Sequence, residues 1–133
     1  MQYAYPAIFT PAEEGYRVRV PDLPTLVTYG TDMADACLMA QDAIAMWLWD
    51  AENKREPIPA ASMPGALQSA LQKNEFISLM VVDTDAYRRA HDARAVKKTL
   101  TIPAWLNHEA EAANAPFSQI LQQGLKSYLG MRE

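Results

Sequence analysis

Val96-Lys97-Lys98-Thr99-Leu100-Thr101-Ile102 is the stretch that decides how the end of this 133-residue chain folds. Its residues alternate with period two, so one face of a strand would be mainly apolar and the other polar and cationic. The polar face holds Lys97, Thr99 and Thr101. A lone strand leaves its backbone donors and acceptors unpaired, and this one has no sheet to join. We therefore expect two copies of the chain to pair through this segment as a dimer.

The polar face of this strand has the chemistry of a DNA reader. Two antiparallel copies would form a two-stranded ribbon, and the major groove of B-DNA, roughly 12 Å wide, admits such a ribbon. Lysine can donate to guanine, and threonine offers a hydroxyl and a methyl group to base edges. The alternative is a solvated edge strand whose lysines oppose aggregation. The residues that follow the strand favour the DNA reader.

Two short helical patterns complete a strand-helix-helix unit. Pro103 and Pro116 each have φ preset for a first helical turn. An apolar stripe of three-and-four spacing marks the second helix: Phe117, Ile120, Leu121, Gly124, Leu125 and Tyr128. At its start the N–H groups of Phe117 and Ser118 would be unpaired at the positive end of the helix dipole, where they can bind a DNA phosphate. Gly124 costs this helix about 1 kcal/mol relative to alanine. It is either a product of drift or a place where helices approach closely across the dimer, and we favour close approach.

With these residues in view, residues 97–131 resemble a ribbon-helix-helix DNA-binding domain. The resemblance implies that the three polar strand residues read bases and that the two amides of the second helix hold phosphate. The chain departs from the common pattern at one place. Relatives often have Asn-Arg-Ser at the start of the second helix, where this chain has Pro116-Phe117-Ser118, so phosphate anchoring here lacks the usual arginine.

The N-terminal part shows the pattern of a small α+β domain of order β-β-β-α-β. Strands are expected at 3–9, 16–20, 26–29 and 76–82. Thr31 or Asp32 would cap the helix after the third strand. Its predicted buried stripe is Met33, Cys37, Ala40, Ile44, Trp47 and Ala51. We place this domain at 1–85, a charged joint at 86–94, and the strand-helix-helix domain at 95–133.

Specific residues give the N-terminal part a resemblance of its own. They are Tyr5-Pro6-Ala7-Ile8-Phe9, Gly15-Tyr16, Val20-Pro21-Asp22-Leu23-Pro24, Thr28, Gly30 and Pro57-Ile58-Pro59. Together with the alanine-rich helix they make the chain similar to the HicB antitoxin family over nearly its whole length. The resemblance implies a partial RNase H-like domain that binds and blocks HicA, a small mRNA-cleaving toxin. It also implies a ribbon-helix-helix domain that represses the shared operon as a dimer or a dimer of dimers.

Three side chains of the predicted helix fall outside its buried stripe, at places that are commonly polar in the family. They are Leu38, Met39 and Trp49, and we expect a toxin-contact surface there. The alternative is that they cap a broader core or pack against residues 60–74. The chain also has Thr25-Leu26 where the family usually has Gly-Cys, which predicts a turn of different shape.

Charge divides the chain in the same place as the patterns do. Residues 1–92 hold seven Lys/Arg against thirteen Asp/Glu, a net charge of −6, and residues 93–133 hold five against three, or +2, which together give the net charge of −4. The acidic part is unsuited to approach phosphate, and it would attract a basic toxin with a strength that falls as salt rises.

Several classes of function find no support in the sequence. Cys37 is the only cysteine, so no intrachain disulfide can form and a cytoplasmic setting is expected. Two histidines, His91 and His108, and the scattered carboxylates have neither ligand nor catalytic spacing. We therefore expect no metal, no cofactor and no catalysis. The most apolar stretch, residues 36–49, is interrupted by polar residues and predicts no membrane span.

Two other functions stay open from sequence alone. A ligand-responsive ribbon-helix-helix repressor without a toxin partner would need a concave pocket with converging polar groups, and neither a glycine-rich loop nor a polar cluster indicates one. A metal-dependent nuclease would need a carboxylate cluster that the predicted strands do not supply. The primary hypothesis is an antitoxin that neutralises an mRNA-cleaving toxin and represses its own operon.

Overall fold

A computed structural model describes residues 1–131, which form two units divided between residues 94 and 95. The first unit contains β1 (Gln2–Ala12), β2 (Gly15–Arg19), β3 (Val27–Gly30), α1 (Met33–Asn53), α2 (Pro64–Leu67), β4 (Phe76–Asp83) and α3 (Thr84–His91). The described part of the second unit contains α4 (Ala104–Ala112) and α5 (Phe117–Tyr128). The α+β class is confirmed, and the expected order of three strands, a long helix and a fourth strand is present.

The four strands form one antiparallel sheet in the order β3-β2-β1-β4. A tight hairpin joins β1 to β2, with Ala12 opposite Gly15. Gly15 has a φ of +102°, a backbone conformation that side chains rarely adopt, so glycine fits this turn. The first strand is central because β4 returns along its other edge, from Gln2 opposite Asp83 to Phe9 opposite Phe76.

Helix α1 covers one face of the sheet and forms the core with it. Asp32 begins the helix by accepting a hydrogen bond from the N–H of Asp35 at 2.8 Å. The buried side chains of α1 are Ala36, Ala40, Ile44, Ala45, Leu48 and Ala51. Gly30 lets the helix start close to the sheet, because a Cβ there would lie 2.2 Å from the backbone nitrogen of Ala36. Burying a side chain such as Ile44 contributes about 1.5–3 kcal/mol.

The predicted stripe of α1 was partly wrong. Ala40, Ile44 and Ala51 are buried as expected, but Met33 is exposed and Cys37 and Trp47 are only half-buried. The true stripe is rotated toward the alanines, because small side chains bring the helix axis closer to the sheet.

The opposite face of the sheet is also partly covered. Pro6 and Ile8 lie on that face of β1 and are buried, and the short helix α2 contacts β4. Residues 54–75 connect α1 to β4. At the end of this segment, Glu75 accepts hydrogen bonds from the Thr10 hydroxyl at 2.6 Å and the Gln72 N–H at 2.8 Å. The segment between α1 and β4 therefore supports the sheet as well as connecting two elements.

Residues 86–94, which we expected to be a joint, contain most of helix α3. The helix begins after Asp83, whose carboxylate accepts a hydrogen bond from the N–H of Asp85 at 2.9 Å, and it packs against α1. Its charged sequence suggested a linker, and in the structure only Thr84 of this helix is fully buried, while Tyr87 and Arg88 are half-buried. A helix of eight residues needs only a few inward-facing side chains to pack against α1.

One carboxylate joins three elements of the first unit. Glu52, near the end of α1, accepts hydrogen bonds from the Tyr3 hydroxyl at 2.7 Å, the Thr84 hydroxyl at 2.9 Å and the Arg88 guanidinium at 3.2 Å. Burial opposes the ionisation of Glu52, but these donors outweigh it and the pKa of Glu52 is lowered. Burial and the adjoining carboxylate together raise the pKa of Tyr3 to about 12. Ionised Glu52 and protonated Tyr3 are thus the pair that the fold favours.

The turn between β2 and β3 carries a strained residue. Leu23 and Leu26 are both buried and fix the turn to the core, while Thr25 between them has a φ of +60°. A β-branched residue rarely adopts this left-handed conformation, which costs roughly 1–2 kcal/mol for side chains other than glycine. Position 25, where the family usually has glycine, thus has a backbone conformation in which glycine would be less strained than threonine.

The Tyr3 to Glu52 hydrogen bond predicts a pH dependence of stability. The contribution of protonated Tyr3 is complete below pH 10 and is lost as the pH rises toward about 12, because the unfolded chain releases the proton first. In Tyr3→Phe, the free energy of unfolding should therefore fall less steeply across this range than in the wild type. Urea denaturation of the full chain at a series of alkaline pH values measures both slopes.

Tyr29→Phe is the matched control, because Tyr29 is 62% exposed. It should keep the wild-type slope. Parallel profiles for Tyr3→Phe and the wild type would show that the hydrogen bond does not couple Tyr3 to folding.

Candidate functional site

The second unit has no core within one chain. None of residues 95–131 is buried, and neither α4 nor α5 has a buried side chain. Its exposed large apolar side chains are Val96, Leu100, Ile102, Trp105, Leu106, Phe117, Ile120, Leu121, Leu125, Tyr128, Leu129 and Met131. A monomeric domain rarely exposes so many apolar residues in so short a segment. The fold of this unit therefore needs another apolar surface against it.

These side chains surround an open cleft of about 650 Å³. The segment before α4 lines one side with Lys98, Leu100 and Ile102. The two helices and their connection provide the rest: Leu106, Asn107, Ala110, Ala115, Phe117, Ser118, Ile120 and Leu121. The cleft is an apolar groove between two helices rather than a closed cavity, and its shape suits an inserted apolar surface.

The predicted DNA-reading residues lie outside the lining of this cleft. Lys97, Thr99 and Thr101 are exposed, whereas Lys98, Leu100 and Ile102 line the groove. The period-two division of the segment is thus visible as one apolar side and one polar side. Both sides are exposed in the single chain, and they differ in that only the apolar side lines the cleft.

The predicted strand itself is not formed in the single chain. Residues 92–103 have no regular secondary structure, so in one chain the ribbon-helix-helix order is reduced to two helices. The physical reason is that a strand requires hydrogen-bonding partners, and among residues 1–131 this segment pairs with no other strand. The sequence expectation placed that partner in a second copy.

The start of α5 is the place where the sequence predicted a phosphate-binding site. Pro103 and Pro116 were expected in the first turns of their helices, but each is the N-cap residue just before its helix, and no side chain caps α5. The first amides of a helix have no partner inside it, which leaves those of Phe117 and Ser118 as donors. Both residues also line the apolar cleft, so Phe117 serves packing as well as the helix start.

The outer side of α1 is the second candidate surface. Leu38 is 65% exposed and Met39 43% exposed, as expected for a contact surface. Met46, which was not among the predicted contact residues, is 52% exposed and lies two turns beyond Leu38. The spacing of four residues from Leu38 through Asp42 to Met46 was the signal that could have found it.

Trp49 does not share that exposed surface. It is half-buried, its ring lies 5.4 Å from the ring of Tyr87 in α3, and its indole nitrogen is buried without a hydrogen-bond partner. Trp49 therefore packs within the first unit, and the alternative of a broader core describes it better than a free contact surface. The helix that covers it lies in the segment taken for a joint, which is why the sequence pattern left Trp49 unpaired.

Carboxylates of the described residues serve structural contacts rather than a metal-binding group. Residues 1–131 contain no group of three His, Cys, Asp or Glu side chains that could hold a metal ion. Asp22, which lies between two prolines, accepts hydrogen bonds from the N–H and hydroxyl of Ser62 and helps to anchor the proline-rich segment. Over the same residues, no helix has the length and apolar character needed to cross a membrane.

Comparison with known families agrees with the arrangement of strands and helices. Residues 5–122 match the family described as HicB-like antitoxin of bacterial toxin-antitoxin systems. Because this match spans most of the chain, the protein belongs to the HicB-like antitoxin family. Membership of an antitoxin family also supports the expectation that the chain is not an enzyme.

Individual relatives are distant in sequence. A chain in a toxin-antitoxin complex from Streptococcus pneumoniae is 24% identical with a TM-score of 0.61, and the match covers 96% of this chain and 99% of that one. The antitoxin HicB of Burkholderia pseudomallei is 20% identical with a TM-score of 0.53, covering 94% and 96%. An uncharacterized 14.9 kDa protein of Haemophilus phage HP1 is 25% identical over 107 residues, 80% of this chain and 78% of that protein. The structural matches support the fold.

Proposed function

We propose that this antitoxin neutralises a HicA-type mRNA-cleaving toxin through its first unit and represses its own operon through its second unit. The observation that carries the proposal is the combination of an antitoxin family match over residues 5–122 with a C-terminal unit that cannot bury its apolar side chains alone. The family match indicates a toxin-antitoxin system, and the exposed apolar side chains of the C-terminal unit indicate assembly with a second copy.

Dimerisation follows from the cleft. Two copies that pair residues 96–102 as antiparallel strands would satisfy the backbone groups that one chain leaves open. The same pairing would bring Leu100 and Ile102 of each copy against the apolar helices. Each buried methylene group contributes about 0.8 kcal/mol, so burying the exposed apolar side chains of the second unit would strongly favour dimerisation. A dimer of dimers would bring four such units together.

DNA binding follows from the face that the dimer would leave free. Lys97, Thr99 and Thr101 would lie side by side on a two-stranded ribbon, which fits the major groove. The amides at the start of α5 would hold a phosphate and fix the ribbon in register. Because residues 93–133 carry a net charge of +2 and residues 1–92 carry −6, the C-terminal unit is the part suited to approach DNA.

Toxin binding is assigned to the acidic first unit. A toxin that cleaves mRNA must hold RNA phosphates and therefore has a basic surface. The solved structure with a TM-score of 0.61 comes from a toxin-antitoxin complex, which supports a protein partner for this fold. Association should be fastest at low salt, because opposite charges steer the encounter.

The proposal as a whole is tested by co-expression with the product of the adjacent reading frame. As the family resemblance implies, this product should be a small basic protein that stops growth when expressed alone. Co-expression of the antitoxin should restore growth, and the two proteins should purify together at low salt. Growth arrest that persists when both proteins are present in the cell at equal amounts would disprove neutralisation.

Gly124 provides a test of the dimer. Nothing lies within 4 Å of a Cβ added at Gly124 in the single chain, and the same is true of Gly65 in α2. If helices approach closely at Gly124 across the dimer, Gly124→Ala should raise the dimer dissociation constant by roughly tenfold, because overpacking costs about 1–3 kcal/mol. Sedimentation equilibrium of the full chain gives this constant.

Gly65→Ala is the control and should leave the dimer unchanged. An alanine at position 124 facing solvent would instead stabilise α5 by about 1 kcal/mol. A dimer of Gly124→Ala that is as strong as the wild type, or stronger, would therefore contradict close approach at this position.

Two neighbouring lysines provide a test of DNA reading. Lys97→Ala should weaken binding to the promoter region of the protein's own operon, whereas Lys98→Ala removes the same charge from the side that lines the cleft. Thr99→Ala or Thr101→Ala should relax the preference at a contacted base pair by about 1–3 kcal/mol. Binding titrations against the promoter and single-base variants measure both effects. Equal losses of DNA affinity for Lys97→Ala and Lys98→Ala would contradict DNA reading by the Lys97 side. For the threonine variants, an equal loss of affinity for every DNA sequence would contradict base reading.

A further inference from the structure

The outer side of α1 carries a continuous row of exposed side chains. We define the α1 stripe as Leu38, Asp42 and Met46, which lie four residues apart, together with Met39, which lies three residues before Asp42. Its three apolar members are 65%, 43% and 52% exposed, in that order along the chain. The stripe lies away from the buried side of the helix, so the core of the first unit does not require apolar residues there.

The composition of the stripe suits a binding surface. Leu38 and Met39 on one turn and Met46 two turns further along expose apolar area, and burying this area against a partner would be favourable. Methionine is unbranched and polarisable, so it adapts to the shape of a partner. A helix face that only met solvent would carry charged or polar side chains at these positions.

The charge around the stripe selects the kind of partner. Helix α1 contains no Lys or Arg, and its Asp42 and Asp50 are exposed. Asp50 is paired with Lys54 at 3.0 Å, whereas Asp42 makes no ion pair with any residue among 1–131. An exposed carboxylate set between apolar side chains, with no cation nearby on its helix, fits a partner with a basic group beside an apolar surface.

We propose that the α1 stripe is the surface on which this antitoxin binds its toxin. The inference rests on the proposed function and adds the location of the contact and the role of each member. Leu38, Met39 and Met46 form the apolar centre, and Asp42 pairs with a lysine or arginine of the toxin. A second copy of the chain is a poorer occupant, because two acidic stripes would then face each other and repel.

The test compares two stripe variants with two matched controls in the full-length chain. Leu38→Ala combined with Met46→Ala removes apolar contact, and Asp42→Lys reverses the charge. Val27→Ala combined with Met63→Ala removes apolar side chains that are exposed elsewhere in the first unit, and Glu13→Lys makes the same charge change in the exposed hairpin. The probe is the purified product of the adjacent reading frame, and Kd is measured by calorimetry at two salt concentrations.

Each stripe variant should raise Kd by roughly tenfold or more, as residues at the centre of an interface do, while the controls stay within about twofold of the wild type. Asp42→Lys should also reduce the salt dependence of binding more than Glu13→Lys does. Thermal unfolding of each free variant shows whether the first unit is intact. For a stripe variant that unfolds early, Leu38→Gln or Asp42→Asn replaces it and carries the same expectation.

The outcomes separate this inference from the proposed function. No binding by the wild-type chain overturns both. Tight wild-type binding with equal Kd values for stripe variants and controls leaves the antitoxin function in place and overturns the α1 stripe. A change in oligomeric state of the free stripe variants, without a change in Kd for the toxin, assigns the stripe to contact between copies and also overturns the inference.

Discussion

The shortage of buried apolar surface after residue 95 is the constraint on which the rest of this protein depends. A helix pair with exposed Phe117, Ile120 and Leu125 and a preceding segment with no hydrogen-bonding partner is not a stable arrangement in water. The proposed dimer would remove both deficits at once, because a second copy would supply strand partners and apolar cover together. In that proposal, any activity of this unit that needs an ordered polar face depends on dimerisation.

The first unit satisfies its own needs and differs from the second in physical character. Its core is built from small residues on α1 and larger ones on the sheet, and the Glu52 carboxylate holds β1, α1 and α3 together through directed hydrogen bonds. A domain with a complete core can leave apolar side chains on its surface without losing stability. Leu38, Met39 and Met46 are exposed beside such a core, whereas the exposed apolar side chains of residues 96–131 have no buried core beside them in one chain.

Sequence reasoning succeeded where a local pattern matched a local structure. The hairpin at Gly15, a helix cap at Thr31 or Asp32 and the four strands follow from turn chemistry, capping and period-two alternation, each of which acts over a few residues. It failed where the answer depended on packing between distant residues. The buried stripe of α1 rotated toward the alanines, α3 formed in a charged segment, and Trp49 was covered by Tyr87 from that helix.

By itself, the sequence determined the α+β class, the order of the strands and the division of residues 96–102 into a polar side and an apolar side. These features depend on backbone geometry and side-chain alternation, which neighbouring residues fix. Only the tertiary structure decided which side of α1 meets the sheet, that Trp49 is a packing residue, and that Leu38, Asp42 and Met46 form one exposed row. Those facts depend on the distance between helix and sheet and on the position of α3, and both are set by the sum of contacts across the unit rather than by any one stretch of the chain.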